Sequence, residues 1–156
     1  MTSSARPLST TWPRDGRPAP TSTVDYLAPA FLSEVERWYA AVLPVLAARL
    51  EPRGGNVIAV QLDNESGMLA WVSNSLDLSD RLLAHFRSWC EGRHGSALAG
   101  RYPGGGSWRR TVEAPEESWA AALRVDLGLF MRGRFAAYAQ ALTATAQDKG
   151  IEGGPS

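Results

Sequence analysis

Three runs of residues predict an α/β fold in which a buried parallel strand lies between helices. From Pro29 the apolar residues Phe31, Val35, Trp38, Val42, Leu46 and Leu50 recur every three or four positions, the period of one helical face. After Gly54 and Gly55 comes Val57–Leu62, a β-branched run in which only Gln61 is polar. A continuous apolar run suits a parallel sheet covered on both sides. Helix, two-glycine turn and buried strand make the αβ half of a βαβ unit. No second run of this kind is evident, so the chain reads as mostly helical with one or two short strands.

Residues 1–25 are rich in Pro, Ser and Thr without apolar period and read as a poorly ordered arm. In the first helix Ser33, Glu34, Glu36 and Arg37 form the wet side, and Pro44 removes one backbone donor, which predicts a bend. The breaker Pro52, Arg53, Gly54 and Gly55 ends it. Gly67–Asn74 is a loop. Asp77 or Ser79 caps a helix to about Glu91, with Leu78, Leu82, Leu83, Phe86 and Trp89 on one face. Residues 92–108 hold at most a short helical turn. Pro115 suits the first turn of a long helix, whose stripe is Trp119, Leu123, Leu127, Phe130, Tyr138 and Leu142 and which ends near Lys149. The tail 151–156 reads as truncated. Trp38, Trp89 and Trp119 fall on helical stripes and are expected in the core.

The 156 residues suffice for one domain with a real core. Sixteen basic and sixteen acidic residues cancel, so no overall field favours nucleic acid or an anionic membrane. A single cysteine, Cys90, excludes an internal disulfide framework, and no CxxC or HExxH spacing suggests a metal. No cofactor is expected. The first twenty residues lack the apolar core of a signal peptide and no run approaches a membrane span, so the expected setting is cytoplasmic.

The candidate chemistry lies where the apolar run ends in Asp63, Asn64 and Glu65. A carboxylate at the tip of a buried strand either meets water or is used, because burying it alone costs several kcal/mol. In parallel α/β folds, functional groups sit at the carboxyl ends of strands. Glu65, with its charged form disfavoured among apolar neighbours, suits a general acid. Asn64 offers a donor and acceptors to a sugar hydroxyl, and Trp71 in the following loop offers a ring for stacking. The bland alternative is a strand ending in polar turn residues. Asp63, on the opposite face from its neighbours, reads as structural or as partner to a helix Arg. His85, His94 and Cys90 read as surface or packing residues, and the GGGSWRR segment at 104–110 as a flexible loop.

GGNVIAVQLDNESGMLAWVSN closely resembles the fourth-strand region of retaining glycoside hydrolases of the β-galactosidase type, families 35 and 42. Gln61, Asp63, Asn64, Glu65 and Gly67 carry the motif. The likeness extends over 25–150, through DYLAPAFLSEVERWYAAVLPVLAARL, LLAHFRSWCEGRHGSALAGRYP and RVDLGLFMRGRFAAYAQAL. Ser66, His94 and Cys90 depart from the family pattern. The resemblance implies a partial (β/α)₈ TIM barrel around strand four, with Glu65 as acid/base in hydrolysis of a β-galactoside and Asn64 on the 2-hydroxyl. It places the nucleophile on strand seven, beyond this chain, so hydrolysis by the chain alone is expected at background. A carbohydrate is the implied partner, with self-association or a complementing fragment also expected of unpaired strand edges. The rival is a non-catalytic helical interaction module or one part of a split enzyme.

Overall fold

The computed structural model describes residues 25–64, Ser66, 79–103 and 107–152. The chain is mostly helical and divides into two compact units. The described residues of one lie within Val24–Ser66 and Phe135–Ser156, and those of the other within Gly67–Arg134.

In the first unit, α1 spans Pro29–Ala47. Asp25 organises its entry: its carboxylate accepts from the Leu27 amide at 3.0 Å and its carbonyl from the Ala28 amide at 2.9 Å. Pro29 follows at the first helical position, where a missing N–H has no helical partner to lose. Ser33, Glu34, Glu36 and Arg37 are exposed, as the periodicity predicts. The buried row is Tyr39, Leu43 and Ala47, one position round from the expected stripe, and Trp38 is 59% exposed rather than core. The cause is the partner row. Tyr138, Leu142 and Ala146 repeat the same Tyr–Leu–Ala order at the same spacing of four, and these three form one cluster with Tyr39 and Leu43. Rows at this spacing are the ridges through which helices interdigitate.

The helix ends at Ala47, five residues before Pro52, and a 3₁₀ turn over Glu51–Arg53 leads to Gly54 in the left-handed region at φ 82°. Gly55 passes so close to Arg49 that a Cβ there would lie 1.9 Å from the Arg49 carbonyl oxygen. Both glycines are thus required by backbone geometry. The strand expected over Val57–Leu62 is not formed. Among the described residues there is no strand, and the single parallel bridge joins Leu50 to Val57. Beyond Val57 the segment has no ladder partner; Val60 and Leu62 pack on the helical cluster while Ile58 is 88% exposed. The sequence has the β-branched content of a buried strand, but a strand needs a neighbour to take its backbone groups.

In the second unit, α2 spans Asp80–His94, capped by Ser79, whose Oγ accepts from the Leu82 amide at 3.3 Å. It extends three residues past Glu91, then turns through Gly95 at φ 53° into α3, Leu98–Arg101. A further short helix, α4, covers Trp108–Glu113, where the sequence suggested only loop. Arg109 fastens it, bonding Asp80 at 2.8 Å and Glu113 at 3.1 Å. The core centres on Phe86, which has no exposed surface and sits 5.2 Å from the Phe130 ring and edge-on to Trp108 at 5.8 Å. Leu82, Leu83, Cys90, Leu123 and Leu127 complete it, each fully buried leucine contributing about 1.5–3 kcal/mol.

The long helix, α5, spans Glu117–Asp148, about 48 Å at 1.5 Å per residue. All six residues of its predicted stripe are buried. Residues up to Arg134 serve the second unit and those from Phe135 the first. Among the described residues no helix is long and apolar enough to cross a membrane.

Candidate functional site

The end of the extended segment is held by tyrosines from two helices. Tyr39 of α1 donates its hydroxyl to the Leu62 carbonyl, and Tyr138 of α5 donates to Asp63 Oδ2 at 3.0 Å. Burial, followed by the nearby Asp63 charge, raises the Tyr39 phenol above its ordinary pKa. The Tyr138 phenol is raised further, by burial first and then by its bond to Asp63. Both remain protonated donors at neutral pH.

Asp63 organises the turn. Its Oδ2 also accepts from Ser66 Oγ at 2.7 Å, and its Oδ1 from the Asn64 amide at 2.8 Å. Gln61 Nε2 donates both to the Asp63 carbonyl and to Asn64 Oδ1, each at 2.9 Å. With Oδ1 occupied, the Asn64 amide is oriented, and its Nδ2 has no partner among the described residues. Two shallow clefts flank Asp63 and Tyr138. One, of about 310 Å³, is bordered by Trp38, Tyr39 and Phe31. The other, of about 460 Å³, is bordered by Ser66, Phe135 and Thr143.

Of the residues singled out from sequence, Asn64 lies exposed on this turn. Glu65 and Trp71 lie outside the described residues. Asp63 is structural in part, as expected, but its helix partner is a tyrosine and not an arginine. Ser66, a departure from the motif, supplies one of its bonds. Tyr39, Tyr138 and Gln61 were not anticipated as site residues. A signal for the tyrosines existed: a tyrosine on a buried stripe carries a hydroxyl that must find a partner.

A second polar cluster gathers round a buried carboxylate in the other unit. Asp126 is 1% exposed. It receives a two-point bond from Arg101 at 2.7 and 3.0 Å, the Tyr102 hydroxyl at 2.6 Å and His94 Nε2 at 2.7 Å. Burial alone pushes the Asp126 carboxyl up, but the bonds from Arg101, Tyr102 and His94 outweigh it and hold the carboxyl below its usual range. His94 therefore has an acidic partner, 32 residues away, which no local spacing in the sequence revealed. Cys90 is buried as expected, its thiol pushed up to about 12 by burial and then by Asp126, so it is no nucleophile at neutral pH. Every oxygen of Asp126 is spoken for. The cluster orders the core and presents nothing to a ligand.

No family model matches the chain. It is similar to a β-1,2-glucosyltransferase of Ignavibacterium album (strain DSM 19864 / JCM 16511 / NBRC 101810 / Mat9-16), 27% identical over 66 residues. The match covers 42% of this chain and 9% of the length of that relative. This likeness overturns the expected β-galactosidase-type hydrolase and its hydrolytic double displacement, for the relative is named for glycosyl transfer. The strands of the expected barrel do not form among the described residues either.

Proposed function

We propose that the turn at residues 63–66 handles a sugar in glycosyl transfer. The observation that carries this is the Gln61–Asn64 bond, which fixes the side-chain amide and leaves Nδ2 as an oriented donor. The partial likeness to a glucosyltransferase supports the reaction class. Asn64 donates to a sugar hydroxyl. Glu65 protonates the oxygen of the departing sugar as its bond to the anomeric carbon breaks, and takes the proton of the acceptor hydroxyl whose oxygen forms the new bond to that carbon, so that Glu65 ends as it began. Trp71 stacks on a ring. The natural ligand is a β-linked glucoside.

The test grafts the segment bearing this turn into the Ignavibacterium enzyme and follows glucosyl transfer into a β-1,2 linkage. A transferring graft should lose about 10²-fold or more in rate on Glu65→Gln, the scale of a general acid/base. It should lose about tenfold on Asn64→Ala, the equivalent of one hydrogen bond to substrate. Unchanged transfer in Glu65→Gln would sink the assignment.

Ile58, 88% exposed on an extended segment without a ladder, favours a second reading. Backbone groups with no ladder partner among the described residues, beside a β-branched chain, are a template for strand addition. On this reading a second copy of the chain pairs along residues 58–62. Sedimentation should show association that Ala59→Pro abolishes; a chain monomeric at every concentration removes the reading.

A further inference from the structure

Trp38 belongs to neither core, and its surroundings are of mixed character. The residue is 59% exposed, and its indole leans on Tyr39 with ring centres 5.6 Å apart. It borders the cleft of about 310 Å³ whose other walls include Phe31, Glu34, Asp63 and Tyr138. We infer that this cleft is a carbohydrate subsite, in which a pyranose ring lies against the Trp38 indole with its hydroxyls turned to Asp63 and Glu34. This rests on the reading of the adjoining turn as sugar-handling, and it assigns the neighbouring subsite.

The chemistry of the walls selects the ligand. A pyranose presents an apolar face of C–H groups and a rim of hydroxyls, which calls for a flat aromatic surface beside hydrogen-bonding groups. Trp38 supplies the surface. A carboxylate has about four lone-pair sites, and three of Asp63's are taken by Ser66, Tyr138 and the Asn64 amide. One remains for a hydroxyl. Glu34 is paired with Arg37 on the exposed side of α1, so the rim carries an acceptor and a donor together. The volume stands at the small end of the roughly 300–1,000 Å³ usual for small-molecule sites, which suits one or two rings and not a long glycan. An apolar partner helix would have to bury Asp63, Glu34 and Arg37, whereas a polyhydroxylated ligand can bond all three.

The experiment titrates the full chain with the β-1,2-linked glucose disaccharide, read by calorimetry. Saturable binding is expected, weakened about tenfold in Trp38→Ala, a loss on the scale of one aromatic contact. Trp38→Tyr should restore most of the affinity. Val45→Ala, on an exposed position of the same helix, should bind as wild type. Trp38→Ala should also unfold at the wild-type temperature, because the side chain is mostly in water. Absence of saturable binding, or binding that Trp38→Ala leaves unchanged, overturns the subsite. The two readings fail separately. Disaccharide bound through Trp38 while Glu65→Gln leaves a grafted transferase unaffected keeps the subsite and removes the transfer role. Loss of transfer in Glu65→Gln with binding insensitive to Trp38→Ala does the reverse.

Discussion

Asp126 and Asp63 are both carboxylates bonded to a tyrosine of a neighbouring element, yet they serve opposite ends. Asp126 sits inside its unit with four bonds to Arg101, Tyr102 and His94, and water does not reach it. Asp63 lies at the surface of the other unit, fixing a turn from which Asn64 projects. A saturated carboxylate gives order and has nothing left to offer a ligand. An exposed one that is only partly used holds its neighbours in place and keeps a lone pair for something else. A buried, fully satisfied polar network rigidifies a core; recognition needs capacity in reserve.

The largest expected effect tests the saturated member. Asp126→Ala leaves the Arg101 guanidinium, the Tyr102 hydroxyl and His94 without their acceptor, and removing one partner of a buried ion pair costs about 3–5 kcal/mol. Urea unfolding should register that loss. The pH dependence follows from the depressed carboxyl. A group whose pKa is lower folded than unfolded stabilises above its unfolded value, about 3.9 for Asp, and that contribution disappears as pH falls toward the folded value. Stability should therefore decline below about pH 4, and Asp126→Asn should flatten that part of the profile. An unaltered acid limb in Asp126→Asn would mean that other carboxylates govern it.

Next in size is Tyr138→Phe, which keeps the ring stacked on Tyr26 at 5.0 Å and removes the bond to Asp63. A hydrogen bond to a charged acceptor is worth about 1.5–3 kcal/mol, and the exposure of Asp63 places the loss at the lower end. Thermal unfolding should show a modest decrease. The more telling readout is the side-chain amide of Asn64, whose NMR signal should broaden once the turn loses its anchor. If Tyr138→Phe leaves that signal sharp, Gln61 and Ser66 suffice to hold the turn.

The helices were legible in the sequence because their cause is local. The α5 stripe from Trp119 to Leu142 was found residue by residue and Ser79 caps α2 as expected, whereas α1 stops at Ala47, ahead of its glycine break. What was not legible depends on partners distant in sequence. Trp38 and Tyr39 are neighbours on one helix, and only the row Tyr138, Leu142 and Ala146 decides that the tyrosine goes in and the tryptophan out. His94 gained its acid from 32 residues away. The apolar run at 57–62 has the composition of a strand, but strand formation is a property of a pair, and one member cannot state it. The motif around Asn64 led to the expectation of hydrolysis, which the likeness to a glucosyltransferase overturns, since a short run of polar residues does not by itself specify a reaction.

The smallest effect on stability belongs to Ile58→Lys. At 88% exposure the side chain has little apolar contact to lose, and surface substitutions of this kind fall within about ±0.5 kcal/mol. Unfolding measured at low protein concentration should thus match wild type. The same change places a charge at the start of the extended segment 58–62, the device by which natural sheets discourage edge pairing. At high concentration Ile58→Lys should sediment as a monomer where the wild type associates. Equal stability with lost association would assign the extended segment to contact between copies and leave the Asp63 turn undisturbed beside it. A drop of several kcal/mol instead would mean that Ile58 is covered within the single chain, and the contrast between the segment's wet and dry sides would fail with it.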